Sequence, residues 1–169
     1  GLKVSLGEGI LYEAEIAGIT RGEKGSPGEI SGVITYLDQY KLGTVEENSD
    51  VGIYGKLERT PEENVENTYY PIALKQNIQK GEATIISSVS GEQKAYTIDI
   101  QELDYNSENK GILFQVNDAE LLNLTGGVIQ GISGSPIIQN GAVIGAVTHV
   151  FVQDSTKGYG IFIENMLEH

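Results

Sequence analysis

The chain is predicted to be all-β, built as closed barrels or a sandwich, on three observations. Apolar segments recur at roughly ten-residue spacing, separated by Gly, Pro, Asn and Ser. The 169 residues include 22 glycines, four prolines and nine tyrosines but no tryptophan, which suits short strands and tight turns better than a helical bundle. Asn140-Gly141, set between two apolar runs, is a strong two-residue hairpin signal. A chain of this length fits one domain, or two small barrels sharing an interface, and buries roughly 70% of its unfolded surface.

The elements follow in order. Residues 10–19 alternate apolar and polar side chains as a half-buried strand does, and 21–29 form a charged loop with a turn at Pro27-Gly28. Strands are expected over 33–36, 41–45 and 51–57. Residues 58–68 are rich in glutamate and nearly free of apolar side chains, the composition of an exposed linker. Further strands are expected over 69–78, 83–89 and 95–103, the last two joined through Ser90-Gly91-Glu92. The alternation Tyr96-Thr97-Ile98-Asp99-Ile100 marks an antiparallel sheet with one wet face. Residues 106–110 make a turn and 111–116 a strand, and 117–124 can start a helical turn capped by Asn117 or Asp118. The hairpin of 137–139 and 142–147 comes next.

Several function classes are excluded. A net charge of −13, with only 11 Lys and Arg scattered along the chain, argues against nucleic acid as a partner. No cysteine is present, so there is neither a disulfide nor thiol chemistry. Gly22, Gly25 and Gly28 do not lead from a strand into a helix, so no dinucleotide fingerprint is read. Without a spaced His/Cys set or an EF-hand loop, neither a metal nor another cofactor is expected. No run of about 18 apolar residues and no basic-then-apolar leader occurs, so this piece is expected neither to span a membrane nor to carry its own export signal. Leu167-Glu168-His169 reads as the stump of an expression tag and is set aside.

Gly131-Ile132-Ser133-Gly134-Ser135-Pro136 carries the chemistry. A serine between glycines is first of all a β-turn. This one opens a hairpin, however, and a serine nucleophile needs backbone N–H donors for the charge developing on the attacked carbonyl. Glycine permits the backbone angles that aim such donors inward.

SGSPIIQNGAVIGAVTH resembles the segment of chymotrypsin-like serine proteases that runs from the nucleophile through a hairpin to the strand lining the specificity pocket. More closely, GGVIQGISGSPIIQNGAVIGAVTHVFVQDSTKGYGIFIENMLE resembles the stage IV sporulation protein B peptidases of endospore-forming bacteria. The likeness is dense over 126–168 and looser in GEGILYEAEIAGITRGEKGSPGE and KLGTVEENSDVGIYGKLE. It is loosest over 59–110. It implies a chymotrypsin-like double β-barrel, the first barrel truncated at its N-terminus, with a short C-terminal helix over 162–167. Residues 1–168 then form one serine peptidase domain: 1–57 part of the first barrel, 58–68 a linker, 69–168 the second barrel. A PDZ domain and the catalytic-histidine segment, a Gly-His motif, are expected upstream of Gly1-Leu2-Lys3-Val4.

The resemblance also assigns roles. Ser133 falls on the nucleophile, with the N–H groups of Gly131 and Ser133 as the oxyanion hole. Ser135 is a rival serine, placed where those proteases usually carry glycine. Asp118 falls on the triad aspartate of the sporulation peptidases, whereas Ser49-Asp50-Val51-Gly52-Ile53 resembles the upstream aspartate site of the common chymotrypsin pattern. Read from the residues alone, Asp118 is a helix cap and Asp50 a turn residue. Of the two histidines, His169 belongs to the tag. His149 falls with Gly126, Gly127 and Thr148 on the substrate groove, so the chain alone is expected to be inactive. Because the groove walls are uncharged, a small or apolar residue should precede the cut. What the family implies further is a secreted signalling protease acting between the two membranes of the forming spore. Its protein or peptide substrate would be a membrane-associated regulatory target, whose cleavage switches on processing of a mother-cell sigma factor. The alternative is a non-catalytic β-module that binds peptides in the same groove.

Overall fold

The computed structural model describes residues 9–49, 51–60 and 69–168. Its first half contains β1 (Gly9–Tyr12), β2 (Ala14–Thr20), β3 (Glu29–Ile34), β4 (Lys41–Ser49) and β5 (Gly52–Leu57). Strands β1, β4 and β5 form one antiparallel sheet with β4 in the middle, and β2 and β3 form a separate hairpin. The single strand expected over 10–19 is thus two. Its break is Glu13, whose N–H donates to the Tyr40 carbonyl (2.9 Å) and whose carboxylate accepts from the Arg59 guanidinium (2.7 Å). The turn expected at Pro27-Gly28 closes earlier, where Glu23 and Ser26 exchange backbone hydrogen bonds. The strand expected over 33–36 is β3, displaced toward the N-terminus, and a 3-10 turn (Asp38–Tyr40) follows it. Of the expected linker, 61–68 lie outside the described residues. Glu58 and Arg59 fold back to donate their N–H groups to Leu42.

The second half comprises β6 (Gly81–Ser87), β7 (Lys94–Leu103), β8 (Ile112–Val116), α1 (Ala119–Thr125), β9 (Pro136–Gln139), β10 (Ala142–Val150), β11 (Lys157–Phe162) and α2 (Ile163–Leu167). Its six strands close into an antiparallel barrel in the order β10-β11-β8-β7-β6-β9. Alternation fills it: Ala83 and Ile85, then Tyr96, Ile98 and Ile100, then Ile112, Phe114 and Val116 are all buried. Asn140 and Gly141 both take positive φ (51° and 77°), the geometry of a two-residue hairpin turn. The short C-terminal helix is α2, fastened through the Glu164 carboxylate, which accepts from the Lys75 N–H. The expectation of an all-β fold with a closed barrel and a short terminal helix therefore holds, and the first half remains open sheets.

The strand expected over 69–78 does not form. A closed barrel has no free edge, so this segment meets the barrel backbone where the β9–β10 register shifts: Val143 N–H donates to Pro71 O (2.8 Å) and Val143 O accepts from Ala73 N–H (2.9 Å). A 3-10 turn (Lys75–Asn77) follows. The buried side chain of Gln139 then ties the next residues to the barrel. It accepts from the Gln79 N–H (3.0 Å) and donates to the Gln79 (2.8 Å) and Glu82 (3.2 Å) carbonyls.

Candidate active site

Asp118 caps α1, accepting from Leu121 N–H (3.0 Å), and Gly126 ends that helix in the left-handed conformation. The chain then runs between the two halves and is fastened to each in turn. Thr125 O accepts from Gly22 N–H (2.8 Å), Val128 N–H donates to Ser155 O (2.7 Å), and Gln130 bonds Gly28 O and Ile30 N–H (both 2.8 Å). The loop holding Ser155 is itself tied by Asp154, whose carboxylate accepts from the Thr156 hydroxyl (2.6 Å). That hydrogen bond, helped by the Thr156 N–H and the nearby Lys157 and Lys24 against some desolvation, lowers the Asp154 pKa below its ordinary value.

From this fixed run the chain turns at Gly131 (φ 103°), where a Cβ would lie 2.9 Å from that of Ile30. Ile132 plugs into the core at 2% exposure, and the next residue, Ser133, is thereby projected outward. Gly134 N–H donates to Val147 O (2.8 Å), while Ser135 bonds Ile132 O (3.0 Å) and Val147 N–H (2.9 Å), so Ser135 forms the base of the turn. Ser133 Oγ donates to the Thr148 carbonyl (3.0 Å). Thr148 is held in turn by its own hydroxyl, within reach of the carbonyls of Asn109 (2.8 Å) and Tyr159 (3.2 Å). Among the described residues the N–H groups of Gly131 and Ser133 engage no acceptor, which leaves both able to serve a substrate oxygen. An exposed serine hydroxyl attacks a carbonyl only once a base takes its proton, and an amide carbonyl is no base.

The other expected site residues are placed as follows. Asp118 directs one carboxylate oxygen to Leu121 N–H and the other to Thr97 N–H (3.2 Å), and it makes no hydrogen bond to Ser133. His149 pairs with Tyr159 just after a register shift in β10, and no hydrogen bond links it to the Ser133 hydroxyl. Gly126 and Gly127 sit where backbones nearly touch: a Cβ would lie 2.4 Å from Gly22 O in the first and 2.1 Å from Ser155 O in the second. Asp50 and His169 lie outside the described residues. The described residues contain no group of three or more His, Asp or Glu side chains able to hold a metal.

A cavity of about 540 Å³ adjoins the turn, walled by Ile16 and Ile30 from the β2–β3 hairpin, Ile86 and Val89 from the β6–β7 end, and Gly131 and Pro136. The sequence reading missed it. Apolar alternation in 10–19 is the only trace, and a strand facing an ordinary core shows the same alternation.

A family model described as SpoIVB peptidase S55 matches residues 1–167. Two solved structures are similar to the chain. One is titled as the Rv3671c protease in an inactive form, 16% identical, with a TM-score of 0.46, covering 84% of this chain and 70% of that one. The other is titled as Rv3671c from M. tuberculosis H37Rv, a serine-to-alanine mutant in an inactive form, 12% identical, with a TM-score of 0.44, covering 89% and 82%. No curated protein matches the chain. With the family match running over residues 1–167 and including the turn that presents Ser133, the chain belongs to the SpoIVB peptidase S55 family, a family of serine peptidases.

Proposed function

We propose that this chain is the peptidase domain of a serine endopeptidase that cleaves a membrane-associated regulatory protein in sporulation signalling, in the space between the forespore membranes, so that a mother-cell sigma factor is processed. The observation that carries the enzymatic part is Ser133, raised on a turn fixed from both sides, next to two N–H donors. In this reading Ser133 attacks the scissile carbonyl and the N–H groups of Gly131 and Ser133 hold the oxyanion. An imidazole takes the serine proton and passes it to the leaving amine. His149 is not that imidazole. In this reading the base is the histidine of the family's Gly-His motif. Asp118 orients it: a carboxylate offers about four lone-pair positions, so two backbone N–H bonds leave room for a third.

Labelling by a fluorophosphonate tests the assignment. With the Gly-His segment joined to the chain, Ser133 should be modified, Ser133→Ala should abolish the modification, and Ser135→Ala and His149→Ala should leave it largely intact. Labelling lost with His149→Ala would overturn the choice of base. A second reading, a peptide-binding β-module without catalysis, is favoured by the resting bond from Ser133 to a carbonyl. It predicts peptide binding with no labelling in any form of the chain.

A further inference from the structure

The cavity beside the nucleophile turn borders Gly131, Gly134, Ser135 and Pro136 but neither Thr148 nor His149. It therefore opens away from the strand toward which the Ser133 hydroxyl points. A peptide whose scissile carbonyl lies on the N–H groups of Gly131 and Ser133 must continue past the serine in both directions. On the groove placement that the family resemblance implies, the part before the cut runs along Thr148 and His149. The part after the cut then meets the cavity. We infer that this cavity is the subsite for the first two substrate residues after the scissile bond, and that it takes aliphatic side chains and rejects acidic ones. The inference rests on the peptidase reading for its polarity.

The chemistry of the walls sets the preference. Ile16, Ile30, Ile86, Val89 and Pro136 form the apolar part of the wall, Ser87, Ser88, Gln93 and Ser135 are polar but uncharged, and Glu15 is the one charged residue among the described lining. Ile16 is 42% exposed, and its strand partner, Gly32, has no side chain to cover it. A bound leucine would cover it, whereas a bound glutamate would desolvate its own carboxylate against the isoleucine side chains and face Glu15. The wall is also built to stay in place. Ile30 N–H donates to Gln130 O and Gln130 N–H to Gly28 O (both 2.8 Å), so the β2–β3 hairpin is bonded to the residue directly before Gly131. The Gly131 backbone lies against the Ile30 side chain as well. Subsite and oxyanion donors thus form one rigid piece. A side chain seated in the cavity fixes the peptide relative to those donors.

The test uses peptide amides with a free amino end, which mimic the fragment released after the cut. Leu-Leu-Ala-Ala amide and Glu-Glu-Ala-Ala amide are titrated into the chain and followed by backbone amide NMR shifts. Shifts at Ile16, Ile30 and Val89 are expected, with the leucine peptide bound about 10-fold more tightly. Ile16→Glu should weaken the leucine peptide by about 10-fold, and Glu15→Lys, at an exposed position, should strengthen the glutamate peptide; circular dichroism confirms that both variants fold. Shifts confined to Thr148 and His149, equal affinity for the two peptides, or indifference to both variants would overturn the inference. Because binding is read without cleavage, loss of Ser133 labelling sinks the peptidase reading alone and leaves this result standing. In a cleaving enzyme, internally quenched peptides with alanine before the cut should favour leucine over glutamate after it by about 10-fold in kcat/KM. A preference restricted to residues before the cut would contradict the placement.

Discussion

Ser133 owes its exposure to its neighbours: Ile132 is driven into the core and Gly134 is bonded to Val147, so the residue between them can only point outward. Asp118 poses the sharper question, because its carboxylate already has a structural task at both oxygens. Asp118→Ala removes the helix cap and the acceptor for Thr97, and should lower stability by about 2 kcal/mol in urea denaturation. Asp118→Asn keeps an oxygen for Leu121, so its stability loss should be smaller. Where Asp118 orients a catalytic imidazole, however, the asparagine variant should lose on the order of 10⁴ in turnover, because the ring is held in the wrong tautomer. Turnover that falls no further than stability explains would reduce Asp118 to its cap.

At the scale of elements, the segment before β6 is held by side-chain bonds in place of a strand ladder. Gln139 satisfies three backbone groups on Gln79 and Glu82, and Gln139→Leu should cost about 2–3 kcal/mol by stranding them, measured as a lowered denaturation midpoint with an unchanged slope. The loop between β10 and β11 depends on pH through Asp154. Its folded pKa is depressed below 3.8, chiefly by the Thr156 hydroxyl, so its contribution is fully present above pH 3.8 and is lost as pH falls through the folded value. Asp154→Ala should therefore destabilise the chain by a constant amount near neutrality. The gap to the unsubstituted chain should narrow once pH drops below 3.8, followed by urea denaturation at stepped pH. A gap unchanged into strong acid would remove the carboxylate from the loop's support.

Across the whole molecule, burial is uneven. The core cluster of buried apolar residues begins at Ile78 and lies in the barrel, whereas Ile10, Val33, Tyr36 and Ile53 in the first half are 54%, 55%, 73% and 62% exposed. Protection should follow burial. Amide hydrogen exchange is expected to be slowest in β7, β8 and β11, and faster in β1 to β5, which open locally without unfolding the barrel. Uniform protection across both halves would show that the first half gains its stability from something other than buried apolar area.

The sequence by itself determined what depends on neighbours along the chain. Period-two alternation marked β7, Asn140-Gly141 determined the hairpin, and Asn117 or Asp118 marked the cap of α1, which is Asp118. The Gly131–Pro136 motif marked the turn that exposes Ser133, since turns and caps are built from residues within a few positions of one another. Tertiary structure alone decided what depends on distant partners. Glu13 breaks a continuous apolar alternation because Arg59 and Tyr40 meet it there. Residues 69–78 read as a strand, yet against the barrel they pair only at Val143, because its closure leaves no free edge there. Likewise, that Ile16 and Val89 wall the same cavity follows from the docking of the β2–β3 hairpin on Gln130, a contact between residues a hundred positions apart that no local pattern encodes.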